Sequence, residues 1–273
     1  MDIQIIFIYC LCDEILKANR HSDDPQCKMY TAEIMTFCIT ASLYFGGNFA
    51  KTRLFFLSHR YFRKVLSRSR LNRRIHNVPS NVWYQVIMIC RSFLQNPHCK
   101  DYIIDSFPVL ACQTCRSWCC KLFPSKEHHG YCASKKSYFW GIKVHMVVTA
   151  EGLPVEFIFT PGSTADIKAM RELELDLPEG SYLFGDKAYT DYGFENLLKE
   201  ININLIPERK RNSKKQHNQS LCYIQKTRRK RVETVFSGIT QLMPRSIHAT
   251  TGKGFLLKIL LFIVSYTTSL CCT

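Results

Sequence analysis

The sequence has no internal repeat, which excludes solenoid and array architectures, and no low-complexity tract beyond a basic stretch at about 208–220. It lacks a secretory leader pattern. Asp2 interrupts the start, no basic run precedes Ile5–Tyr9, and Cys12, Asp13 and Glu14 follow at once. The 14 cysteines are therefore expected as reduced cytosolic thiols rather than a disulfide framework. Cys112-x-x-Cys115, with Cys119, Cys120, His128, His129 and Cys132, opens like a zinc site. No second matching knuckle follows, however, and most free cysteines are small buried hydrophobes. A P-loop is missing too: Ile247 stands where the first glycine would precede Gly252-Lys253, and Gly254 follows the lysine. No nucleotide cofactor is expected. The apolar run Phe255–Leu270 carries Lys258 and falls short of the ~20 apolar residues that a bilayer span needs. It is expected as a buried core helix, with no membrane association.

Acidic residues are scarce where basic ones are dense. The chain of 273 residues holds 37 Lys and Arg against 22 Asp and Glu, a net charge of +15. Residues 51–74 carry Lys51, Arg53, Arg60, Arg63, Lys64, Arg68, Arg70, Arg73 and Arg74 with no acid. Residues 208–231 are nearly as one-sided, with Glu208 alone against a dense run of Lys and Arg. Solubility does not require such segregation. A polyanionic partner does, because each neutralised phosphate releases condensed counterions.

Apolar spacing predicts helices over Asp13–Asn19, Thr31–Leu43, Phe55–Ser67 and Val82–Leu94. Within this half, Ser58–His76 mixes Tyr61 and Phe62 with many arginines and reads as a module that grips DNA backbone through Arg60, Arg63 and Lys64. From Lys100 the period changes to two. Strands are predicted at Asp101–Val109, Ser137–Ala150, Pro154–Thr160, Ser181–Gly185 and Ile201–Ile206. Helices are predicted over Ala165–Leu175, from Thr190 or Asp191 to Glu200, and over Thr227–Leu242. The last carries Val232, Val235, Phe236, Ile239 and Met243 as a core-facing stripe. The resulting class is α/β, with a division into 1–99 and 100–273.

Three carboxylates then call for explanation. Asp105 lies on a strand face otherwise taken by Ile103 and Phe107, where a lone charge is costly without a cation or donors. Asp186 follows a short apolar strand directly after Gly185, and strand ends in such folds carry ligand sites. Glu233 stands beside the apolar stripe of the last helix, in line with Arg229. Singly, each has an ordinary role: a capping or ion-pairing Asp, or a Glu paired with Arg229 at i, i+4. Together they match what hard divalent cations need, carboxylate oxygens with positions left open for water and phosphate. Lys143 and His145 project from the polar face of the second strand, where they reach phosphates or serve the structure.

Six segments in order carry a resemblance. They are Ile104-Asp105-Ser106-Phe107-Pro108-Val109, Gly130-Tyr131-Cys132-Ala133-Ser134-Lys135-Lys136, Tyr138-Phe139-Trp140-Gly141-Ile142-Lys143-Val144-His145, Pro154-Val155-Glu156-Phe157 with Thr160-Pro161-Gly162-Ser163, Gly185-Asp186-Lys187-Ala188-Tyr189, and Arg229-Lys230-Arg231-Val232-Glu233-Thr234-Val235-Phe236. The chain resembles the nine-eighty-two group of bacterial insertion-sequence transposases in the DDE superfamily. The resemblance implies an RNase H-like mixed five-stranded sheet flanked by helices, behind a mainly helical N-terminal domain. It implies that Asp105, Asp186 and Glu233 are catalytic and bind two Mg²⁺ ions, for which Mn²⁺ substitutes. The partners it implies are double-stranded DNA, as transposon ends and target, and a second copy of the chain in the DNA complex. Cleavage and strand transfer are the expected chemistry, in a bacterial cytoplasm at the nucleoid. Lys187 and Arg229 are expected on DNA as well. One departure is Thr240, where many relatives carry a Lys; Lys230, Arg231 or Lys253 would have to compensate. The alternative is an inactive or domesticated relative that binds DNA without cutting it, against which the three intact carboxylates argue.

Overall fold

Helix α1 (Asp2–Ala18) forms because Ile5, Ile8, Leu11, Cys12, Ile15 and Leu16 recur at helical spacing and bury one stripe. It starts well before the predicted Asp13, since its apolar first turns are themselves core. The computed structural model describes residues 1–133 and 135–272; Ser134, part of the segment 130–136 singled out above, lies outside them. Helix α2 (Thr31–Tyr44) is buried almost all round, as befits the centre of a helical unit. The next helix, α3 (Phe49–His59), begins earlier than predicted. The Asn48 side chain accepts the Ala50 and Lys51 N–H groups, each at 3.1 Å. It also ends earlier, where Arg60 turns into the left-handed region at φ 54°. Helices α4 (Arg68–Asn77) and α5 (Ser80–Leu94) complete the N-terminal half.

The chain forms two compact units, Met1–Leu94 with Gly238–Thr273, and Gln95–Ser237. The division read from the sequence assigned residues 238–273 to the second half; in the structure they pack with the first. The reason is the C-terminal helix (Gly252–Leu270). It is long and apolar enough to cross a membrane by length and composition. Yet Phe255, the run from Ile259 to Ser265, Thr267 and Thr268 are all buried, and the helix lies against α2 and α5. The Ser265 hydroxyl donates to the Ile39 carbonyl at 3.2 Å.

The second unit is built on a six-stranded mixed sheet. Its strands are β1 (Asp101–Cys112), β2 (His129–Cys132), β3 (Ser137–Thr149), β4 (Pro154–Pro161), β5 (Tyr182–Gly185) and β6 (Asn204–Pro207). The five predicted strands are present. The sixth, β2, pairs with Ser137–Trp140 on the edge of β3 that β4 takes further along. β1 is the hinge of the topology: antiparallel to β3 on one side, parallel to β5 on the other, with β6 parallel beyond. Helices α6 (Asp166–Glu172) and α7 (Tyr192–Glu200) accompany the core of Tyr102, Ile104, Val147, Leu183, Leu198 and Leu205. On the opposite face lies α8 (Gln219–Leu242), with Phe236 against Phe107 at a ring separation of 4.6 Å. α8 opens two turns earlier than predicted, inside what the sequence presents as basic loop. The C-terminal helix above is α9.

Replacing Leu261 by Ala should cost about 2–5 kcal/mol, as for a core leucine, read as a lowered urea midpoint. An unchanged midpoint would show that this face of α9 does not belong to the core.

Candidate active site

The register of the parallel strands decides which side chains meet. β1 and β5 pair through Ile103 with Phe184, so two residues further on Asp105 and Asp186 stand level. β5 and β6 pair through Gly185 with Pro207, so Asp186 also stands level with Glu208. The Glu208 N–H donates to the Gly185 carbonyl at 2.9 Å, continuing that ladder. Three carboxylates thus share one row: Asp105 within β1, and Asp186 and Glu208 just past the carboxyl ends of β5 and β6, the end at which open α/β sheets bind ligands. Gly185 leaves room there, since a Cβ would sit a tight 3.2 Å from both the Ile104 and Tyr189 side chains. Asp186 caps the short turn Lys187–Tyr189, accepting the Lys187 N–H.

Helix α8 crosses this row. Buried Gln225 donates to the carbonyls of Gly185 and Ile206, each at 3.1 Å, and so fixes the helix to β5 and β6. One turn later the Arg229 guanidinium lies among all three acids, 3.1 Å from Glu208 and 3.6 Å from both Asp105 and Asp186. Lys187 adds a second cation to Glu208 at 3.0 Å. Burial pushes the Asp105 carboxyl up to about 6, against the pull of the Ser106 N–H and Arg229, with Asp186 and Asp166 adding repulsion. A desolvated carboxylate beside another carboxylate needs a cation, and Arg229 supplies one.

Glu233 is exposed on α8. Among the described residues it enters no ion pair, and no three His, Cys, Asp or Glu side chains converge on one point that could hold a metal. Its place on the helix is nonetheless specific. Glu233 follows Arg229 by one turn and precedes Phe236 by one turn, and those two touch Asp105 and Phe107. The donor chemistry fits a hard divalent cation: Asp105 and Asp186 already reach one shared cation from adjacent strands.

The other predicted residues fall into three groups. Arg229 and Lys187 stand at the carboxylate row. Lys230 and Arg231 are exposed on α8, and the Arg231 Nε donates to the Ala150 carbonyl at 3.2 Å. Arg60, Arg63 and Lys64 are exposed in the helical unit, around a cavity of about 340 Å³ shared with Phe56 and Phe62. His145 requires a correction as a DNA contact, because it is fully buried. It bonds the Thr160 hydroxyl at 2.9 Å and stands 3.6 Å from Asp166, and burial holds its imidazole well below the usual histidine range. Lys143 is likewise engaged inside, donating to the Thr164 carbonyl at 3.0 Å and to Asp166 at 3.2 Å. Both faces of β3 are covered, so its alternation does not mark a solvent face. Asp166 gathers Ser106 as well, at 3.1 Å, and props β1 from behind Asp105. Sequence reading missed Glu208, Gln225 and Asp166. The first hid at the head of a basic run, and the others acquire meaning through contacts distant in sequence. Of the cysteines between 112 and 132, Cys115 and Cys119 are exposed and the rest half-buried, so none is a core thiol.

Comparison with known proteins gives a family. Residues 97–250, more than half of the chain, match the family described as Transposase DDE domain. No curated protein sequence matches. Among solved structures, the cryo-EM structure of the piggyBac transposase synaptic complex with hairpin DNA is similar at 12% identity and a TM-score of 0.49. The match covers 97% of this chain and 64% of that one, so this chain spans less than two thirds of its length.

The two shifted groups make opposite contributions to stability. Asp105 keeps its proton in the fold at pH values where the unfolded chain has lost it, so its contribution to stability falls as pH rises from 3.8 to about 6. His145 stays neutral in the fold where the unfolded chain is protonated, so its contribution rises as pH rises towards 6.5. In metal-free buffer, Asp105→Asn should steepen the rise of stability with pH across this window, and His145→Gln should turn it towards a fall. Urea midpoints that follow one common pH curve in all three proteins would refute both assignments.

Proposed function

This chain belongs to the family of the Transposase DDE domain, and from that premise we propose that it binds the ends of a mobile DNA element and catalyses divalent-cation-dependent cleavage and strand transfer there. The observation that carries the reading is the level placement of Asp105 and Asp186 on adjacent parallel strands, both against one cation. Asp105, Asp186 and Glu233 are the proposed ligands. Mg²⁺ held by these oxygens would steady the charge on the attacking and leaving oxygens of an in-line phosphoryl displacement, with Mn²⁺ able to replace it.

The chain's own groups do the rest. Partial burial of Asp105 lowers the local dielectric and strengthens its interaction with a bound cation. Gln225 holds α8 in register, so that Arg229 and Lys187 present charge to the phosphodiester beside the carboxylates. Lys230 and Arg231, exposed on the same helix, extend that charge along the backbone. In the first step water adds to phosphorus and the strand leaves as a free 3′-hydroxyl. In the second, that hydroxyl attacks a target phosphodiester and displaces a target 3′-oxygen. One phosphodiester replaces another, so no nucleotide is consumed. Two ends have to be joined, which calls for two copies of the chain in the DNA complex. A bacterial insertion sequence, acting at the nucleoid, is the element type the motifs fit.

Nicking of duplex DNA carrying the element's ends should require Mg²⁺ and should fall to background in Asp186→Asn, with DNA affinity nearly unchanged. Wild type that binds and never cuts would leave a DNA-binding relative without catalysis. The third carboxylate is open to its own comparison. Glu233→Gln should abolish nicking, whereas Glu208→Gln should lower it partially by loosening Arg229 and Lys187. The reverse order would make Glu208 the ligand.

A further inference from the structure

The helical unit contains a cavity of about 1010 Å³ that the reading above does not use. Its walls carry Lys51, Arg53, Arg68 and Lys258, with His76 and His248, and no Asp or Glu among the described lining residues. Cations crowded into a protein concavity are ordinarily offset by carboxylates, as Arg74 is by Asp23 at 2.8 Å in the same unit. Here no carboxylate of the wall does so. Lys258 is half-buried, its Nζ donates to the His248 carbonyl, and burial followed by the repulsion of Arg68 lowers its affinity for a proton. The Arg53 Nε is fixed on the Leu66 carbonyl at 2.8 Å, so that charge too is held in place. The first turns of α3 and α9 face the same space with Asn48, Lys51, Thr251 and Gly254, and their dipoles carry the same sign.

We propose that this cavity is a second DNA-contacting site, built in the helical unit, that holds consecutive phosphates of the polynucleotide backbone. The proposal rests on the DNA-binding reading above and adds a surface to it. Four cations exceed the roughly −2 charge of one phosphate monoester, and they come from three helices rather than from one point. The charge also continues: α3 leads from Lys51 and Arg53 inside the cavity to Arg60, Arg63 and Lys64, exposed just beyond its end. A chain of phosphates can follow such a line. The contacts go to phosphate and not to base edges, so affinity from this site is independent of sequence.

The test uses the full chain and a short duplex of arbitrary sequence, with affinity measured over a range of salt. Lys51 and Arg68 are exposed, and Lys51→Gln with Arg68→Gln should lower the slope of log affinity against log salt by about two. A control that removes the same charge away from the cavity, Lys28→Gln with Lys168→Gln, should leave that slope close to wild type. If the double variant melts early, the single variant Lys51→Glu gives the same readout. A wild-type slope in the cavity variant overturns the inference and leaves the Asp186→Asn nicking result standing. Absence of salt-sensitive binding in the wild type overturns this inference together with the DNA reading. Inorganic phosphate is the other arm. If it raises the melting temperature of wild type and not of the double variant, while the DNA slope is unchanged, the cavity belongs to a small phosphate ligand and the proposal fails.

Discussion

The parallel register of β1, β5 and β6 is the constraint on which the site depends. It sets Asp105 within β1 level with Asp186 and Glu208 at the ends of β5 and β6, and like charges so placed repel where they are partly desolvated. The fold is tolerable because α8 delivers Arg229 into that row. A guanidinium suits the position better than an ammonium would, since its planar fork can address several carboxylates at once. Gln225 then ties the helix to the strand ends through two carbonyls. Sheet register and helix placement therefore enforce one another: a slip of either by one residue would leave half-buried acids without a cation.

Much of this was legible in the sequence, for reasons that can be named. Period-two alternation over Ser137–Ala150 and the short strands read at Ser181–Gly185 and Ile201–Ile206 found the sheet. The anomaly of an acid among Ile103 and Phe107 found Asp105. What escaped is information that no local window carries. Strand β2 has four residues and gains its pairing from the edge of β3. Glu208 reads as one acid heading a basic run until the ladder from Gly185 sets it beside Asp186. His145 looked polar and outward because alternation gives a face and not what covers it; β4 and α6 bring Thr160 and Asp166 against it. α9 was legible as core from its composition, and its partners, α2 and α5, were not.

The basic segments are not uniform either, and the difference follows side-chain chemistry. Within 208–231 three arginines pair with acids. Arg209 forks onto Glu195 with both bonds at 2.7 Å, Arg228 meets Asp101 at 2.6 Å, and Arg229 holds the carboxylate row. Lys210, Lys214, Lys215, Lys226 and Lys230 stay exposed. Arginine is less strongly hydrated and binds carboxylates bidentately, which suits it to the paired, partly buried positions here. Within this segment the charges paired with acids are all arginines, and the exposed ones are five lysines with Arg211 and Arg231. Loss of an exposed lysine removes a screened, additive contribution, whereas loss of a paired arginine leaves an uncompensated acid inside the protein. Net charge read from the sequence merges these two roles, and burial is what separates them.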